Sequence, residues 1–266
     1  MTLRIQQVPA RRGVAWVSGG FSLFLKHPLG FTFLFFVGLV PTLLLSIIPI
    51  VGTFLAFAMG PLITLGFANA ARAAQAGEPV RAGQLFEPFV QGADRARRSA
   101  LVRLSLLYTA AACAALLLVA ALGGEALDKL MTAARSGNED TLAKIQEQLR
   151  AHPELQIVGL LPGLLIGLVS LVFWHAPMLV WWQGQGVAQA LFSSTLACWR
   201  NKGAFLLYTL AWLFTLMLFV TVSSVVFSLI GAPQLAVLSW QPAMLVFVIA
   251  FYVSVLFSYA DCFAND

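Results

Sequence analysis

Charged side chains are scarce in this chain of 266 residues: Asp, Glu, Lys and Arg together make up 10% of it. In a typical soluble domain these four residue types make up about a quarter of the chain. Hydrophobic residues instead reach 60%, and the mean hydropathy is +0.86. One large core surrounded by water is therefore excluded, and the composition predicts an integral membrane protein.

Cysteine and histidine are also rare, with three of each. Cys113, Cys198 and Cys262 lie far apart in the sequence, so we expect free thiols, no disulfide framework and no metal site. The zinc-protease, phosphate-loop and serine-elbow signatures are absent. Because few side chains remain for acid–base chemistry, we expect no enzyme and no cofactor.

The chain contains six long apolar runs. Each reaches the ~20 residues that a helix needs to cross a bilayer, and they cover residues 31–50, 51–71, 101–122, 155–182, 204–230 and 240–259. They predict an all-α polytopic membrane protein, a single membrane domain over residues 1–266 with six transmembrane helices. The first run follows a basic stretch and has no cleavage pattern, so we expect it to stay as an anchor.

Basic residues are distributed unevenly among the connections. Twelve of the sixteen fall before the first run or on alternate connections. Five acidic residues lie on these connections or after the last run, so this side has a net charge of +7 and the opposite side −2. Basic residues stay on the cytoplasmic side of the bilayer. The sequence therefore predicts the bacterial inner membrane with both termini cytoplasmic, and no nucleic-acid partner.

Several of these residues are candidate lipid contacts, since anionic headgroups attract a nearby Lys or Arg by roughly 1 kcal/mol. The predicted headgroup ligands are Arg95, Arg97, Arg98, Arg200 and Lys202. Trp16 and Trp199 are the predicted interface anchors, because tryptophan favours headgroup depth. They belong to two stretches with apolar stripes at helical spacing, which predict interfacial amphipathic helices: Val14, Val17, Phe21 and Phe24, and Ala188, Phe192, Leu196 and Trp199.

Internal similarity suggests repeated helix units. Gly13-Val14-Ala15 recurs at residues 186–188, and Gly60-Pro61 resembles Ala176-Pro177. A weaker third amphipathic stretch covers residues 82–95, with a helix expected to start at Pro88. The possible units are 13–74, 81–182 and 186–262, although apolar segments also resemble one another by composition alone.

Other candidates have a functional and a structural interpretation. His175, inside a predicted span, either lies in a transport pathway or is a neutral imidazole bonded to a carbonyl that Pro177 leaves free. Asp261 either pairs with Arg103 or Arg200 or is an ordinary surface carboxylate. Gly159, Gly163 and Gly167 favour helix packing. The outer connection, residues 124–154, predicts either a helical hairpin, its second helix capped by Asn138, or a solvated loop with a face for a protein partner.

The segments 8–13, 24–28, 48–52, 60–62, 176–177 and 193–201 carry a resemblance across nearly the whole chain. On these residues the chain resembles an uncharacterised family of bacterial, chiefly betaproteobacterial, inner-membrane proteins, loosely related to the membrane domain ahead of some glycerophosphodiester phosphodiesterases. The resemblance implies six membrane helices and no transferable catalytic residue. The expected function is non-enzymatic: engagement of anionic phospholipid in envelope upkeep or as a membrane-complex subunit. The alternative is a transporter or channel for a small or lipid-like solute, with His175 in its pathway.

Overall fold

The computed structural model describes residues 3–48, 51–90, 92–136, 153–232 and 234–265. Two short strands flank the described helices: β1 (Leu3–Ile5) and β2 (Phe263–Asn265). The helices are α1 (Arg12–Lys26), α2 (Pro28–Ser46), α3 (Val51–Gln75), α4 (Gly83–Phe86), α5 (Arg95–Ser136), α6 (Pro153–Phe173), α7 (Ala176–Gln183), α8 (Val187–Arg200), α9 (Lys202–Leu229) and α10 (Gln234–Cys262), with a 3-10 turn at Glu87–Phe89.

Six segments are long and apolar enough to cross a membrane, which confirms the six predicted spans and the all-α polytopic fold. They are Pro28–Leu45, Val51–Gln75, Arg95–Ala121, Gly163–Gln183, Lys202–Leu229 and Gln234–Cys262. The fourth is broken between α6 and α7 at Trp174 and His175. Pro177 has no amide hydrogen to continue the α-helical ladder, so the helix restarts there.

The two ends of the chain meet. β1 and β2 pair antiparallel, with Leu3 opposite Asn265 and Ile5 opposite Phe263. We call this end of the bundle the terminal face. The end of α7 belongs to it, because Gln183 Nε2 donates to the Tyr259 hydroxyl near the end of α10. The start of α5 lies beside it, because Arg97 Nη1 donates to the carbonyl of Trp181 in α7.

Helix α1 packs against protein along much of its length. A Cβ added at Gly13 would overlap the carbonyl oxygen of Ala204 in α9, and one added at Gly20 would lie 2.5 Å from the carbonyl oxygen of Ala250 in α10. Val17 and Phe24 of the predicted stripe are buried, whereas Val14 is exposed. The apolar face of α1 therefore serves mainly to dock it on two spans.

Helix α8, unlike α1, turns the large apolar side chains of its stripe away from the protein. Its small residues Ala190, Ser194 and Ala197 are buried, and the helix contacts α6 and α7. The large side chains of its predicted stripe, Phe192 and Trp199, remain 68% and 71% exposed. Close helix packing on one side thus leaves the apolar stripe facing away from the protein.

The third amphipathic stretch differs from the prediction. The helix α4 precedes Pro88, which lies inside the 3-10 turn, so the expected helix start at Pro88 is wrong. The fixed φ of proline suits this tight turn, and the chain becomes extended at Val90. Leu85 packs against Gly66 of α3, where a Cβ would lie 2.5 Å from Leu85 Cδ1.

The short helices thus pack on spans from other predicted units: α1 on α9 and α10, α4 on α3, and α8 on α6 and α7. The division into three units stays a prediction. Gly13 and Gly186 also differ in position, since Gly13 lies within α1 whereas Gly186 precedes α8.

Helix α5 is much longer than a membrane crossing. Its 42 residues correspond to about 63 Å at 1.5 Å per residue, and the apolar span ends at Ala121. Residues 122–136 continue as helix for about 22 Å. The first part of the outer connection is therefore helical, while Asn138 and the second predicted helix lie outside the described residues.

Candidate functional site

The candidate lipid interface is concentrated at the junction of α8 and α9. We define the interfacial patch as Phe192, Trp199, Arg200 and Lys202, all of them exposed. The Lys202 ammonium lies 5.3 Å from the centre of the Trp199 ring, within the range of a cation–π contact. An exposed aromatic stripe bordered by cations is the pattern of a helix at a membrane interface.

The α5 arginines predicted as headgroup ligands are not equivalent. Arg95 is exposed and Arg98 half-buried. Arg97 is held by the protein, because its Nη1 donates to the Trp181 carbonyl at 3.0 Å and its Nε lies 3.3 Å from Asp94 Oδ2. Arg97 thus fixes α5 to α7, whereas Arg95 is exposed to the surroundings and Arg98 is partly so.

Trp16 does not lie where an interface anchor is expected. Its side chain has no exposed surface. Its Nε1 donates to Asp261 Oδ2 at 2.7 Å, and its ring packs edge-on against Phe205. A fully buried indole has no surface to offer headgroups, so this tryptophan attaches α1 to the protein.

Asp261 pairs with neither Arg103 nor Arg200 but with Arg12 at the other end of the chain. Arg12 Nε and Nη2 donate to the two carboxylate oxygens at 2.6 and 2.7 Å. The hydrogen bonding to Asp261 is the main cause that raises the pKa of Arg12, and the negative charge of Asp261 adds to it. With Trp16, Asp261 accepts three hydrogen bonds and joins α1 to α10.

Asn201, between α8 and α9, was not singled out by sequence reasoning. Its Oδ1 accepts from the N–H of Val8 at 2.8 Å, and its Nδ2 donates to the carbonyls of Gln6 and Ala197 at 2.9 and 3.0 Å. An asparagine between two helices reads as an ordinary turn residue, so the sequence offers no signal for this contact with the N-terminal segment.

His175 lies in a hydrogen-bonded cluster between α7, α8 and α10. Its backbone N–H donates to Ser194 Oγ, and its Nε2 lies 3.1 Å from Ser258 Oγ. The Ser258 hydroxyl donates to the Val255 carbonyl and accepts from Trp174 Nε1. With the single hydrogen of that hydroxyl directed at Val255, the contact is satisfied in the tautomer whose Nε2–H donates to Ser258. Its partner is a serine hydroxyl instead of the backbone carbonyl expected from Pro177.

A cavity of about 150 Å³ lies between five of the helices and is partly open. Pro61 of α3 and Pro177 of α7, from the mutually similar pairs Gly60-Pro61 and Ala176-Pro177, both line it, whereas His175 is absent from its lining. Its walls come from α3, α5, α6, α7 and α10 and include Gly60, Thr64, Tyr108, Phe173, Trp174, Phe251 and Tyr252. The helix breakers thus border a partly open space between the spans.

Two glycines of α6, Gly163 and Gly167, face no other described helix at close range. A Cβ added at Gly163 or Gly167 would meet no atom of the described chain within 4 Å, and Gly159 lies on the same helix. The small-residue face is therefore open along these two positions.

Comparison with known proteins gives a relative in Burkholderia thailandensis, named as a probable inner membrane protein. The two sequences are 32% identical over 263 residues, which cover 98% of this chain and 94% of the relative. No family model and no solved structure matches the chain. The looser link to glycerophosphodiester phosphodiesterase membrane domains therefore finds no support.

Proposed function

This chain belongs to the family of bacterial inner-membrane proteins that includes the Burkholderia relative, and from that premise we propose that it engages anionic phospholipid at its terminal face. The proposed role is non-enzymatic, in envelope upkeep or as a subunit of a membrane complex. The predicted orientation, with the terminal face toward the cytoplasm, completes the proposal.

The observation that carries the proposal is the orientation of α8. Its small residues pack on the bundle, and the interfacial patch exposes an indole ring, a phenyl ring and two cations. In a bilayer, Phe192 and Trp199 lie at the boundary between acyl chains and headgroups, and Arg200 and Lys202 reach the phosphates. Arg95 and Arg98 add positive charge on the same face.

The test is the lipid composition around the protein. Gentle extraction into native nanodiscs, followed by mass spectrometry of the bound lipids, should show more phosphatidylglycerol and cardiolipin than the surrounding membrane contains. Changing Arg95, Arg98, Arg200 and Lys202 together to Gln should remove this enrichment, because each neutralised residue loses about 1 kcal/mol of headgroup attraction.

The matched control is Arg135→Gln. This residue lies near the far end of α5, on the predicted outer side, so its neutralisation should leave the lipid composition unchanged. Enrichment that survives in the four-residue variant, or its absence in the wild type, would contradict the proposal. A stoichiometric protein that co-purifies would support the subunit role, and the helical start of the outer connection is the segment on which to map it.

Transport is the second candidate, and the cavity bordered by Pro61 and Pro177 is the observation in its favour. At about 150 Å³ it fits a small solute, and its walls are largely apolar. A Cβ at Gly60 would lie 3.1 Å from the Tyr108 ring, so Gly60→Leu should fill the space. A non-lipid solute that co-purifies with the wild type and is lost in this variant would favour transport.

A further inference from the structure

A second recess opens on the terminal face, where α3, α7 and α10 end. Its volume is about 490 Å³, within the range of small-molecule sites. One cation, two amides, a phenol and apolar groups line it: Arg72, Gln75, Trp182, Gln183, Tyr259 and Phe263. None of its lining residues belongs to the interfacial patch.

Arg72 is held over a fixed aromatic surface. Its guanidinium carbon lies 5.2 Å from the centre of the Trp182 ring. Trp182 is itself fixed, because its Nε1 donates to Asn69 Oδ1 at 2.8 Å and its ring meets Tyr259 edge-on at 4.9 Å. A guanidinium stacked on one face keeps its N–H edge available for a planar partner.

No carboxylate of the described chain lies within 4 Å of the Arg72 guanidinium. The nearby acids have other partners: Glu87 accepts from Trp181 Nε1, and Asp94 pairs with Arg97. Both acids line the neighbouring groove, which shares Arg72 and Trp182 with the recess. Among the described residues, none of those that line the recess is acidic.

A hydroxyl donor faces the same space. The Tyr259 hydroxyl oxygen accepts from Gln183 Nε2 at 3.2 Å, which leaves the phenolic hydrogen to donate elsewhere. Leu256, Trp182 and Phe263 supply apolar and aromatic walls. A stacked guanidinium and a phenol donor beside apolar walls form a complementary site for a negatively charged oxygen group on an apolar body.

We propose that this recess binds one organic oxyanion, a phosphate or carboxylate carried on a small apolar or aromatic body. The anionic end pairs with Arg72 and Tyr259, and the body packs against Trp182 and Phe263. The same chemistry is offered by a soluble metabolite and by a lipid headgroup.

The experiment uses the full chain in phosphatidylcholine nanodiscs, with tryptophan fluorescence as the readout and empty nanodiscs as the blank. The probes are phenyl phosphate as a soluble ligand, dihexanoyl phosphatidylglycerol as a lipid ligand, and 2-phenylethanol as a neutral analogue. We expect saturable binding of at least one anionic probe and none of 2-phenylethanol. Binding of the lipid probe alone would identify a headgroup as the source; binding of phenyl phosphate would identify a soluble ligand.

Arg72→Gln should weaken binding about tenfold or more, because a charge-assisted bidentate contact is lost. Arg81→Gln is the matched control: this exposed arginine lies on the same face and outside the recess, and it should bind as the wild type does. Equal affinities in Arg72→Gln and Arg81→Gln, or no saturable binding of either anion, would overturn the proposal. If Arg72→Gln does not fold, Tyr259→Phe decides: weaker binding supports the site and unchanged binding overturns it.

Discussion

Asp261 is the residue on which the contact between the two ends of the chain depends most. It accepts from Arg12 and Trp16, 249 and 245 positions away. A carboxylate with three charge-assisted or buried donors is hard to replace, because its loss leaves the Trp16 N–H and a guanidinium without their acceptor.

Asp261→Asn should therefore lower the stability of the folded protein. Arg12 is 47% exposed, so solvent screening limits the loss to about 1–2 kcal/mol. Thermal unfolding in detergent should show a lower Tm than the wild type. Glu78→Gln, an exposed acid on the same face, is the control and should unfold as the wild type does; equal Tm values for all three proteins would show that the pair contributes nothing.

Cys198 gives a second prediction at the residue scale. Burial is the main cause that raises the pKa of Cys198 above its usual value, and the nearby Cys262 adds a smaller effect. A raised pKa lowers the fraction of thiolate, which is the reactive form, at any pH below it. With Cys113 and Cys262 replaced by Ser, maleimide at pH 8 should label Cys198 roughly tenfold more slowly in the folded protein than after denaturation.

The matched reference for this rate is Trp199→Cys in a chain whose three native cysteines are Ser. Position 199 is the next residue along α8 and is exposed, so its thiol should react rapidly in the folded protein. Equal labelling rates at positions 198 and 199 would contradict the described orientation of α8.

At the scale of the element, α1 and α8 show what periodicity can and cannot predict. Both have apolar stripes at helical spacing, and both form helices at the expected places. The stripe of α8 faces outward, while Val17, Phe24 and the indole of Trp16 are buried against protein. Period alone cannot distinguish these cases, because lipid and a protein core are equally apolar.

The signal that separates them is the position of the small residues. Gly13 and Gly20 lie on the docked side of α1, where neighbouring backbone leaves no room for a Cβ. In α8, Ala190 and Ala197 occupy the buried side. A docked face can therefore be recognised from its small residues, but its partner helices cannot, since Ala204 and Ala250 are about 190 and 230 positions further along the chain.

Gly13→Val should consequently detach or distort α1. The added side chain would overlap the backbone of α9, and overpacking of this kind costs about 1–3 kcal/mol. Limited proteolysis at residues 6–11 should become faster, and the Tm should fall. Gly83→Ala is the control, because a Cβ there meets no described atom within 4 Å; if the two variants behave alike, the close contact of α1 with α9 is not present in solution.

At the scale of the whole molecule, composition was sufficient to predict the spans and the all-α class, since ~20 apolar residues in a row have few structural alternatives. The contact sites were not predictable in the same way. The stacking of Arg72 on Trp182 and the pairing of Arg12 with Asp261 join residues from opposite parts of the sequence. Such pairs depend on how the spans assemble, and hydrophobicity carries no information about that arrangement.

The orientation of the whole molecule gives the last prediction. The terminal face and its connections carry a net +7 and the opposite side −2, so the positive-inside rule places the terminal face in the cytoplasm. In a cysteine-free background, Arg135→Cys should react with a membrane-impermeant maleimide applied to cells with a permeabilised outer membrane. Glu78→Cys should react only after the inner membrane is opened. The reverse pattern would place the interfacial patch and the Arg72 recess on the periplasmic side, where they would meet the outer leaflet of the inner membrane and periplasmic solutes instead of cytoplasmic anions.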